Sequence, residues 1–395
     1  MVISPKVRGF ICTNAHPLGC AANVTQQIAH IKSLDLTNPV PGAPKNVLII
    51  GSSTGYGLAS RITAAYGYEA KTLGVFFEKP PTEKRTASAG FYNAAAFDKQ
   101  AVSDDLYAKS INGDAFSDEC KQQVIDQIKA DLGSVDLVVY SLASPRRTDP
   151  ISGETFMSTL KPIGKAYTAK NLNTDSQVIG EVTVEPASQE EIDNTVKVMG
   201  GEDWQLWIDA LNQAKVLAPG CKTVAYTYIG DKLTKPIYGD ATIGKAKEHL
   251  DTTAEQLNNE YDVRANVAVL KAVVTQASSA IPVMPLYLAI LFKKMQAEGT
   301  HEGCIEQLGR LFSECLYAES PRMDDTNRYR VDELELNPEL QAQIEEIWPQ
   351  VTTENLHELT DFKMYQAEFL RLFGFGIDGV DYMADVNPLI DVGFL

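Results

Sequence analysis

Tyr238 and Lys247 form the residue pair whose types and spacing best suit proton chemistry, and they stand nine positions apart. Nine residues make about two and a half turns of α-helix, so the two side chains cannot share one face of a single helix. We therefore expect Tyr238 to precede a helix, Asp240 or Thr242 to cap it, and Lys247 to lie in its early turns. A free phenol titrates near ~10, and a neighbouring ammonium favours its charged form. Such a pair could stabilise negative charge that develops on a substrate oxygen.

Tyr228 lies shortly before this pair, at the end of an apolar run, and could direct a second hydroxyl at the same oxygen. Tyr226 and Tyr228 also alternate as the half-buried aromatic residues of an ordinary strand do. The residues alone support either role for Tyr228.

A glycine-rich turn is the second chemical feature. Gly51, Gly55 and Gly57 follow the apolar run NVLII at 46–50 and open a helix-period pattern with Leu58 on its apolar side. Glycine permits a tight turn in which backbone N–H groups and a helix N-terminus approach a pyrophosphate. The spacing G-x3-G-x-G resembles that of short-chain dehydrogenases/reductases, so we expect a dinucleotide cofactor here.

Glu78 ends the second apolar run, at the position where dinucleotide-binding proteins place the acid that reads the ribose. A carboxylate there accepts hydrogen bonds from the 2′-hydroxyl and repels a 2′-phosphate. The residue therefore predicts NADH rather than NADPH, although a solvated charge at a strand end is the plainer interpretation.

These residues need a parallel sheet to bring them together. Apolar runs alternate with helical patterns along most of the chain, which predicts an α/β fold with a doubly wound parallel sheet of the Rossmann type. The predicted strands cover residues 46–50, 72–77, 105–111, 136–142, 222–230 and 264–275, and the predicted helices include 117–132 and 240–260. We interpret 1–395 as one large domain, with an insertion at 145–220 and mainly helical additions at 281–395.

Ligands of such sheets bind beyond the carboxyl ends of the strands. Asp114 and Ala115 should therefore lie on the adenine side of the crevice, and Leu142 and Ala143 on the nicotinamide side. The pair Arg146 and Arg147 follows at the rim, either as phosphate partners or as surface arginines.

The formal charge of −17 argues against nucleic-acid binding and against a membrane-surface role. The apolar stretch at 281–292 is too short to span a bilayer, and the start of the chain lacks the apolar core of a signal peptide. The six cysteines form no CxxC pair, so a reducing cytoplasm is expected. Cys12, His16 and Cys20 lack a fourth ligand, and we expect no metal.

Several motifs together resemble those of the single-chain trans-2-enoyl reductases of the FabV type. Besides Tyr238 with Lys247, whose long spacing is specific to that group, the matching segments are GSSTGYG at 51–57, GVFFEKP at 74–80, SINGDAFSDE at 110–119, YSLASPRRT at 140–148, GGEDWQLWIDAL at 200–211, LKAVVTQASSAIP at 270–282 and FGFGIDGVDY at 373–382. The resemblance runs from the first residues to the last segment.

The resemblance implies NADH-dependent reduction of the trans-2 double bond of enoyl-CoA or enoyl-acyl-carrier-protein in fatty-acid biosynthesis, by a monomer. It implies Tyr238 as proton donor, Lys247 as cofactor ligand and Tyr228 as substrate contact, with the helix at 284–295 covering the acyl pocket. The NADH site would be lined by Gly51, Ser52, Ser53, Thr54, Gly55, Tyr56, Phe77, Glu78, Asp114, Ala115, Leu142, Ala143, Val273, Val274 and Thr275. Two alternatives stay open: a carbonyl reductase of the short-chain dehydrogenase type, and a non-catalytic protein that senses NADH.

Overall fold

The computed structural model describes residues 1–36 and 42–395. The strands are β1 (Val7–Arg8), β2 (Ile11–Cys12), β3 (Asn46–Ile50), β4 (Lys71–Phe76), β5 (Ala108–Asn112), β6 (Val135–Tyr140), β7 (Arg146–Thr148), β8 (Thr155–Met157), β9 (Tyr167–Asn173), β10 (Val178–Val184), β11 (Leu217–Thr227), β12 (Val263–Val269) and β13 (Tyr329–Arg330). The α-helices are α1 (Pro17–Ser33), α2 (Gly55–Tyr68), α3 (Ala89–Ser103), α4 (Asp118–Asp131), α5 (Gln189–Met199), α6 (Glu202–Gln213), α7 (Thr242–Glu260), α8 (Gln276–Ala280), α9 (Met284–Glu298), α10 (Cys304–Arg310), α11 (Pro338–Ile347), α12 (Leu356–Leu359) and α13 (Phe362–Arg371).

Seven parallel strands form the main sheet, in the order β13-β12-β11-β6-β3-β4-β5. The run NVLII alternates between two cores: Val47 and Ile49 pack with α1, α2 and α10, whereas Leu48 and Ile50 pack with α4, α6 and α7. A strand buried on both faces reads as a continuous apolar run, which is why β3 could be predicted to the residue. The predicted α/β fold with a doubly wound parallel sheet is confirmed.

The predicted bounds of three strands differ from the structure by three residues or more at one end or both. Residues 105–111 were expected to be extended, but Asp105 adopts a left-handed backbone with φ of +57° just after α3, and β5 begins only at Ala108. The strand expected at 222–230 begins five residues earlier, at Leu217. Its register shifts before Lys222, and Gly220 has φ of +64° there, so the apolar pattern is broken where the strand continues.

The strand expected at 264–275 ends at Val269, because side chains take over the backbone hydrogen bonds beyond it. The N–H of Lys271 donates to Oε1 of Gln307 over 2.8 Å, and the N–H of Ala272 donates to Oε2 of Glu335 over 2.6 Å. The chain from 270 to 275 therefore leaves the sheet at the edge where ligands are expected.

The interval 145–220 combines peripheral and central elements. β7 pairs with β8, and β9 with β10, as antiparallel hairpins outside the main sheet. α6 returns to the sheet: Trp204 and Trp207 are fully buried, and Nε1 of Trp204 donates to Oγ1 of Thr223 on β11 over 2.8 Å. α6 thus belongs to the helical layer on that face.

α9 is the centre of a third apolar cluster, formed with β9, α11 and α13. Nearly every residue from Met284 to Phe292 is buried, so the apolar stretch noted in the sequence packs inside the protein. Among the described residues we find no helix that combines the length and the apolar composition needed to cross a bilayer.

Candidate active site

The glycine turn between β3 and α2 is built for close backbone approach. Gly51 has φ of +89°, and a Cβ there would lie 2.1 Å from the carbonyl oxygen of Ser141. A Cβ on Gly57 would lie 1.9 Å from the carbonyl oxygen of Gly51, so neither glycine tolerates a side chain. Thr54 is the N-cap of α2, but its side chain makes no capping hydrogen bond. The first N–H groups of α2 are therefore available to an anion such as a pyrophosphate.

Glu78 is held beside this turn by contacts that the sequence did not reveal. Oγ of Ser53 donates to Oε1 of Glu78 over 2.7 Å. The side chain of Asn112 bonds both backbone groups of Glu78, accepting from its N–H over 2.8 Å and donating to its carbonyl over 3.0 Å. A Cβ on Gly90 would lie 2.0 Å from Oε1 of Glu78, so this glycine makes room for the carboxylate. Phe77, next to it, is 77% exposed.

A cleft of about 960 Å³ opens along this edge of the sheet. It brings together seven of the predicted cofactor residues, namely Thr54, Gly55, Phe77, Glu78, Val273, Val274 and Thr275. Ser52 and Tyr56 support the turn instead: the N–H of Ser52 donates to the carbonyl of Val75 over 3.0 Å, and the hydroxyl of Tyr56 donates to the carbonyl of Lys271.

The remaining predicted cofactor residues lie outside the lining of this cleft. Asp114 is exposed, and its Oδ1 accepts from the N–H of Phe116 over 3.0 Å. Ala115 is buried. Leu142 and Ala143 follow β6 directly, next to the Ser141 carbonyl that the glycine turn touches.

Tyr238 ends a 3-10 turn, Lys235–Ile237, and lies four residues before α7. Its ring meets that of Tyr228 edge-on, with 5.0 Å between the centroids. A Cβ on Gly244 in the first turn of α7 would lie 1.8 Å from the carbonyl oxygen of Gly239. Gly244 therefore lets the loop that carries Tyr238 pack directly on the helix. A glycine near a helix start was the available sequence signal.

Lys247 reaches the sheet edge from the second turn of α7. Its Nζ donates to the carbonyl oxygen of Tyr226 over 3.1 Å. Ile50, Tyr140 and Ala225 pair across β3, β6 and β11, so Tyr226 lies one residue beyond that row, as Gly51 does. Two strand spacings separate these positions, roughly 10 Å. The lysine and the glycine turn thus share one edge of the sheet.

Burial sets the protonation of this pair. It raises the pKa of Tyr238 to about 12 and lowers the pKa of Lys247 to about 8. At neutral pH the tyrosine keeps its proton and the lysine is mostly charged. The structure shows no effect of the ammonium on the phenol: desolvation alone raises the pKa of Tyr238, and Tyr238 is a hydrogen-bond donor.

The predicted caps of α7 are also wrong. Ala241 is the N-cap, and it has no side-chain oxygen to offer. Thr242 is the first helical residue, and its hydroxyl donates to the carbonyl of Thr159 instead. Asp240 is exposed.

Tyr228 joins a buried polar network that sequence reasoning missed. Its hydroxyl lies 3.0 Å from Oγ1 of Thr234 and donates to Oε1 of Glu335 over 3.0 Å. Tyr287 donates to the same oxygen over 2.7 Å. Tyr228 and Tyr238 both pack against the apolar cluster that contains Val274, a residue that also lines the cleft. One member of the cluster on which the two tyrosines pack, Val274, thus belongs to the wall of the cofactor cleft.

Arg147 and His16 have structural roles. Arg147 is buried, and its Nη1 donates to Oε2 of Glu202 over 2.6 Å. It is therefore neither a surface arginine nor accessible to a phosphate group. Arg146 is exposed. Nδ1 of His16 accepts from the N–H of Gly19 over 3.1 Å and caps α1.

Three family models match the chain. The model described as the catalytic region of trans-2-enoyl-CoA reductase matches residues 85–317, and the NAD(P)H binding domain of trans-2-enoyl-CoA reductase matches residues 2–83. A model described as the enoyl reductase FAD binding domain matches residues 323–386.

Relatives and solved structures are similar to this chain over nearly its full length. The enoyl-[acyl-carrier-protein] reductase [NADH] of Saccharophagus degradans is 66% identical over 98% of both chains, and that of Teredinibacter turnerae is 65% identical over 98% of both. The crystal structure of Treponema denticola trans-2-enoyl-CoA reductase in complex with NAD is 49% identical, with a TM-score of 0.95 over 98% of both chains. The Clostridium acetobutulicum trans-2-enoyl-CoA reductase in complex with NADH is 42% identical, with a TM-score of 0.93 over 98% of both.

The third family description names FAD, but Glu335, Gln341 and Tyr365, three buried polar residues of the segment 323–386, are already bonded within the chain. Glu335 holds two tyrosines, Nε2 of Gln341 donates to the Glu335 carbonyl over 2.6 Å, and the Tyr365 hydroxyl donates to Oγ of Ser279 over 2.7 Å. The strand, glycine turn and helix that cradle a dinucleotide are β3 and α2 instead. The buried polar groups of the segment thus do not fit a flavin.

Proposed function

The chain belongs to the trans-2-enoyl-CoA reductase family, and from that premise we propose that it uses NADH to reduce the trans-2 double bond of an enoyl thioester. The observation that carries the proposal is Tyr238, a proton-bearing hydroxyl packed on Tyr228 and on the cluster that reaches the cofactor cleft. A donor at that place suits a reaction in which negative charge develops on a thioester oxygen.

NADH, when bound, supplies the hydride that adds to the β-carbon. The segment from Gly51 to Tyr56 and the open start of α2 would hold its pyrophosphate, and Glu78 would accept from the ribose hydroxyls. The other residues proposed to line the cofactor site are Phe77, Asp114, Ala115, Leu142, Ala143, Lys247, Val273, Val274 and Thr275.

Tyr238 acts on the substrate in this scheme. When a hydride adds to the β-carbon, the π electrons of the C=C bond would form a new double bond between the α-carbon and the carbonyl carbon. The π electrons of the C=O bond would move onto the thioester oxygen, which gives an enolate. Tyr238 donates its hydrogen bond to that oxygen, and the positive charge of Lys247 favours the same electron shift. A proton then goes to the α-carbon, so each turnover consumes one NADH and one proton and releases NAD⁺. Tyr228 would contact the substrate beside Tyr238.

The carrier is proposed from the relatives, whose names give the acyl-carrier protein, and from the solved structures, whose names give CoA. We propose enoyl thioesters of either carrier as substrates, in fatty-acid biosynthesis. The free thiols of Cys12, Cys20, Cys120, Cys221, Cys304 and Cys315 suit a reducing cytoplasm. We further propose that one chain, working as a single unit, is the active species, because the residues assigned above all come from it.

The test offers crotonyl-CoA and acetoacetyl-CoA with NADH to the parent protein and to Tyr238→Phe. We expect crotonyl-CoA to lose its enoyl absorbance as NADH is oxidised, and acetoacetyl-CoA to be inert. Tyr238→Phe should lower kcat on the order of a hundredfold, the usual loss for one oxyanion donor, while the Kd for NADH stays within about twofold.

Tyr107→Phe is the matched control. Its hydroxyl bonds Asp131 over 2.6 Å just before β5, at the opposite edge of the sheet. This variant should turn over like the parent. Reduction of acetoacetyl-CoA with crotonyl-CoA untouched would indicate a carbonyl reductase, and NADH binding without turnover on either substrate would indicate a sensor.

A further inference from the structure

Glu335 is a fully buried carboxyl group between β13 and α11 that the scheme above does not use. Its Oε1 accepts from the hydroxyls of Tyr228 over 3.0 Å and Tyr287 over 2.7 Å. Its Oε2 accepts from the N–H of Ala272 over 2.6 Å. A buried carboxylate needs such donors, because an unpaired one is costly away from water. The arrangement therefore joins a substrate-side tyrosine to the chain that leads into the cofactor cleft.

Both backbone hydrogen-bonding groups of Ala272 are held. Its N–H donates to Glu335, and its carbonyl accepts from Nζ of Lys271 over 2.9 Å. Lys271 is itself buried, and Nζ also donates to the carbonyl of Glu302 over 3.1 Å. The next residues, 273–275, line the cleft. Glu335 thus fixes the segment that forms one wall of the proposed cofactor site.

The single proton of Tyr228 can be directed to only one acceptor. An ionised carboxylate only accepts hydrogen bonds, so Glu335 in that form accepts the one hydrogen bond that Tyr228 can donate. Thr234 is the other neighbour of the Tyr228 oxygen, at 3.0 Å, and it can act as donor. Burial raises the pKa of Glu335 above its ordinary value, and the charge of Lys271 and the bonds from Tyr287, Ala272 and Tyr228 offset only part of that rise.

We propose that Glu335 is a positioning residue for the reduction: it accepts the hydrogen bond that the Tyr228 hydroxyl donates, which leaves Tyr238 as the tyrosine that donates to the thioester oxygen. The inference rests on the proposed function. Glu335 acts through Tyr228 on turnover and through the Ala272 peptide on the cofactor wall.

A double-mutant cycle separates this role from a merely structural one. In Glu335→Gln the new NH₂ group can take either of two orientations. If it faces the Tyr228 hydroxyl, it donates a hydrogen bond there, and the Tyr228 hydrogen turns toward the substrate. If it faces the N–H of Ala272, two donors meet and that hydrogen bond is lost. We expect kcat to fall at least about tenfold. In the Tyr228→Phe background, where no hydroxyl remains to be directed, Glu335→Gln should change kcat less than about threefold further.

The Kd for NADH is the second readout. Because the bond to Ala272 does not involve Tyr228, any change in Kd caused by Glu335→Gln should be the same with and without Tyr228→Phe. Coupling in kcat without coupling in Kd supports the proposal. If kcat of Glu335→Gln stays within twofold of the parent, or if the two losses in kcat multiply, Glu335 is only a packing residue.

Asp203→Asn is the matched control. Asp203 is another buried carboxylate that accepts from a tyrosine, Tyr140, over 3.1 Å, but it lies in the core on the far face of the sheet. The Asp203→Asn variant should have a lower midpoint of thermal unfolding, while its kcat stays within about twofold of the parent.

If Glu335→Gln does not fold, Glu335→Asp replaces it in the same cycle, because aspartate keeps the carboxylate acceptor on a shorter side chain. Absence of enoyl-dependent NADH oxidation in the parent would overturn the proposed function itself, whereas multiplying losses in an active parent overturn only the role of Glu335.

Discussion

Gly244 is the residue whose substitution tests how Tyr238 is positioned. In Gly244→Ala the new Cβ would lie 1.8 Å from the Gly239 carbonyl oxygen and 3.0 Å from that of Tyr238. The loop must retreat by about 1.2 Å before the nearer contact even reaches 3.0 Å, which is still tighter than most real Cβ contacts. A displacement of ~1 Å at a reacting group can lower turnover about a hundredfold. The expected result is therefore a fall in kcat of that order.

The assay measures kcat with crotonyl-CoA, the Kd for NADH by fluorescence titration, and the thermal unfolding midpoint. The Kd should change little, because the glycine turn at 51–57 is untouched. Stability should change modestly, since overpacking of ~1–3 kcal/mol is partly offset by the ~1 kcal/mol advantage of alanine over glycine in a helix. Gly67→Ala in α2 is the control: its Cβ would meet the flexible end of Leu36 at 3.1 Å. A kcat for Gly244→Ala within threefold of the parent would refute the reasoning.

Three further predictions concern the cofactor. Gly57→Ala places a Cβ 1.9 Å from the Gly51 carbonyl oxygen, so the glycine turn must shift. The Kd for NADH in a fluorescence titration should therefore rise at least about tenfold. An unchanged Kd would contradict the role of the turn. Glu78→Gln removes the charge that repels a 2′-phosphate, and kcat/KM with NADPH should rise by roughly tenfold, with no rise if Glu78 is only a solvated charge. Burial lowers the pKa of Lys247 to about 8, so its positive charge is present below that pH and is lost above it. The kcat/KM for NADH should accordingly be flat from pH 6 to 7.5 and fall above ~8, and Lys247→Met should lack that fall.

The fold could be predicted because its signals are local. A strand buried on both faces is a continuous apolar run, and the glycine turn follows it within one residue, so β3 and the start of α2 are visible in a short window of sequence. The edges of the sheet were harder. β12 ends at Val269 only because Gln307 and Glu335, far along the chain, bond the N–H groups that follow it.

The parts of the site that escaped prediction all depend on distant partners. Asn112 fixes the backbone of Glu78 from 34 residues away, and Glu335 reaches Tyr228 from 107 residues away. Arg147 could not be distinguished from a surface arginine, since its partner Glu202 lies on α6, 55 residues later. No periodicity or short motif carries such information. The effect of burial on Tyr238 and Lys247 escaped for the same reason, because desolvation depends on what the folded chain places around them.

The spacing of nine between Tyr238 and Lys247 follows from the two different ways in which these residues are held. Side chains on a helix tilt toward its N-terminus, so a lysine in the second turn of α7 can extend back to the Tyr226 carbonyl at the sheet edge. Tyr238 takes its position from the loop, packed on Tyr228 and on Gly244, and not from the helical repeat. If both residues stood on one helical face, a change in the helix would move them together. Because they do not, contacts of the loop should alter kcat while the lysine keeps its place at the sheet edge.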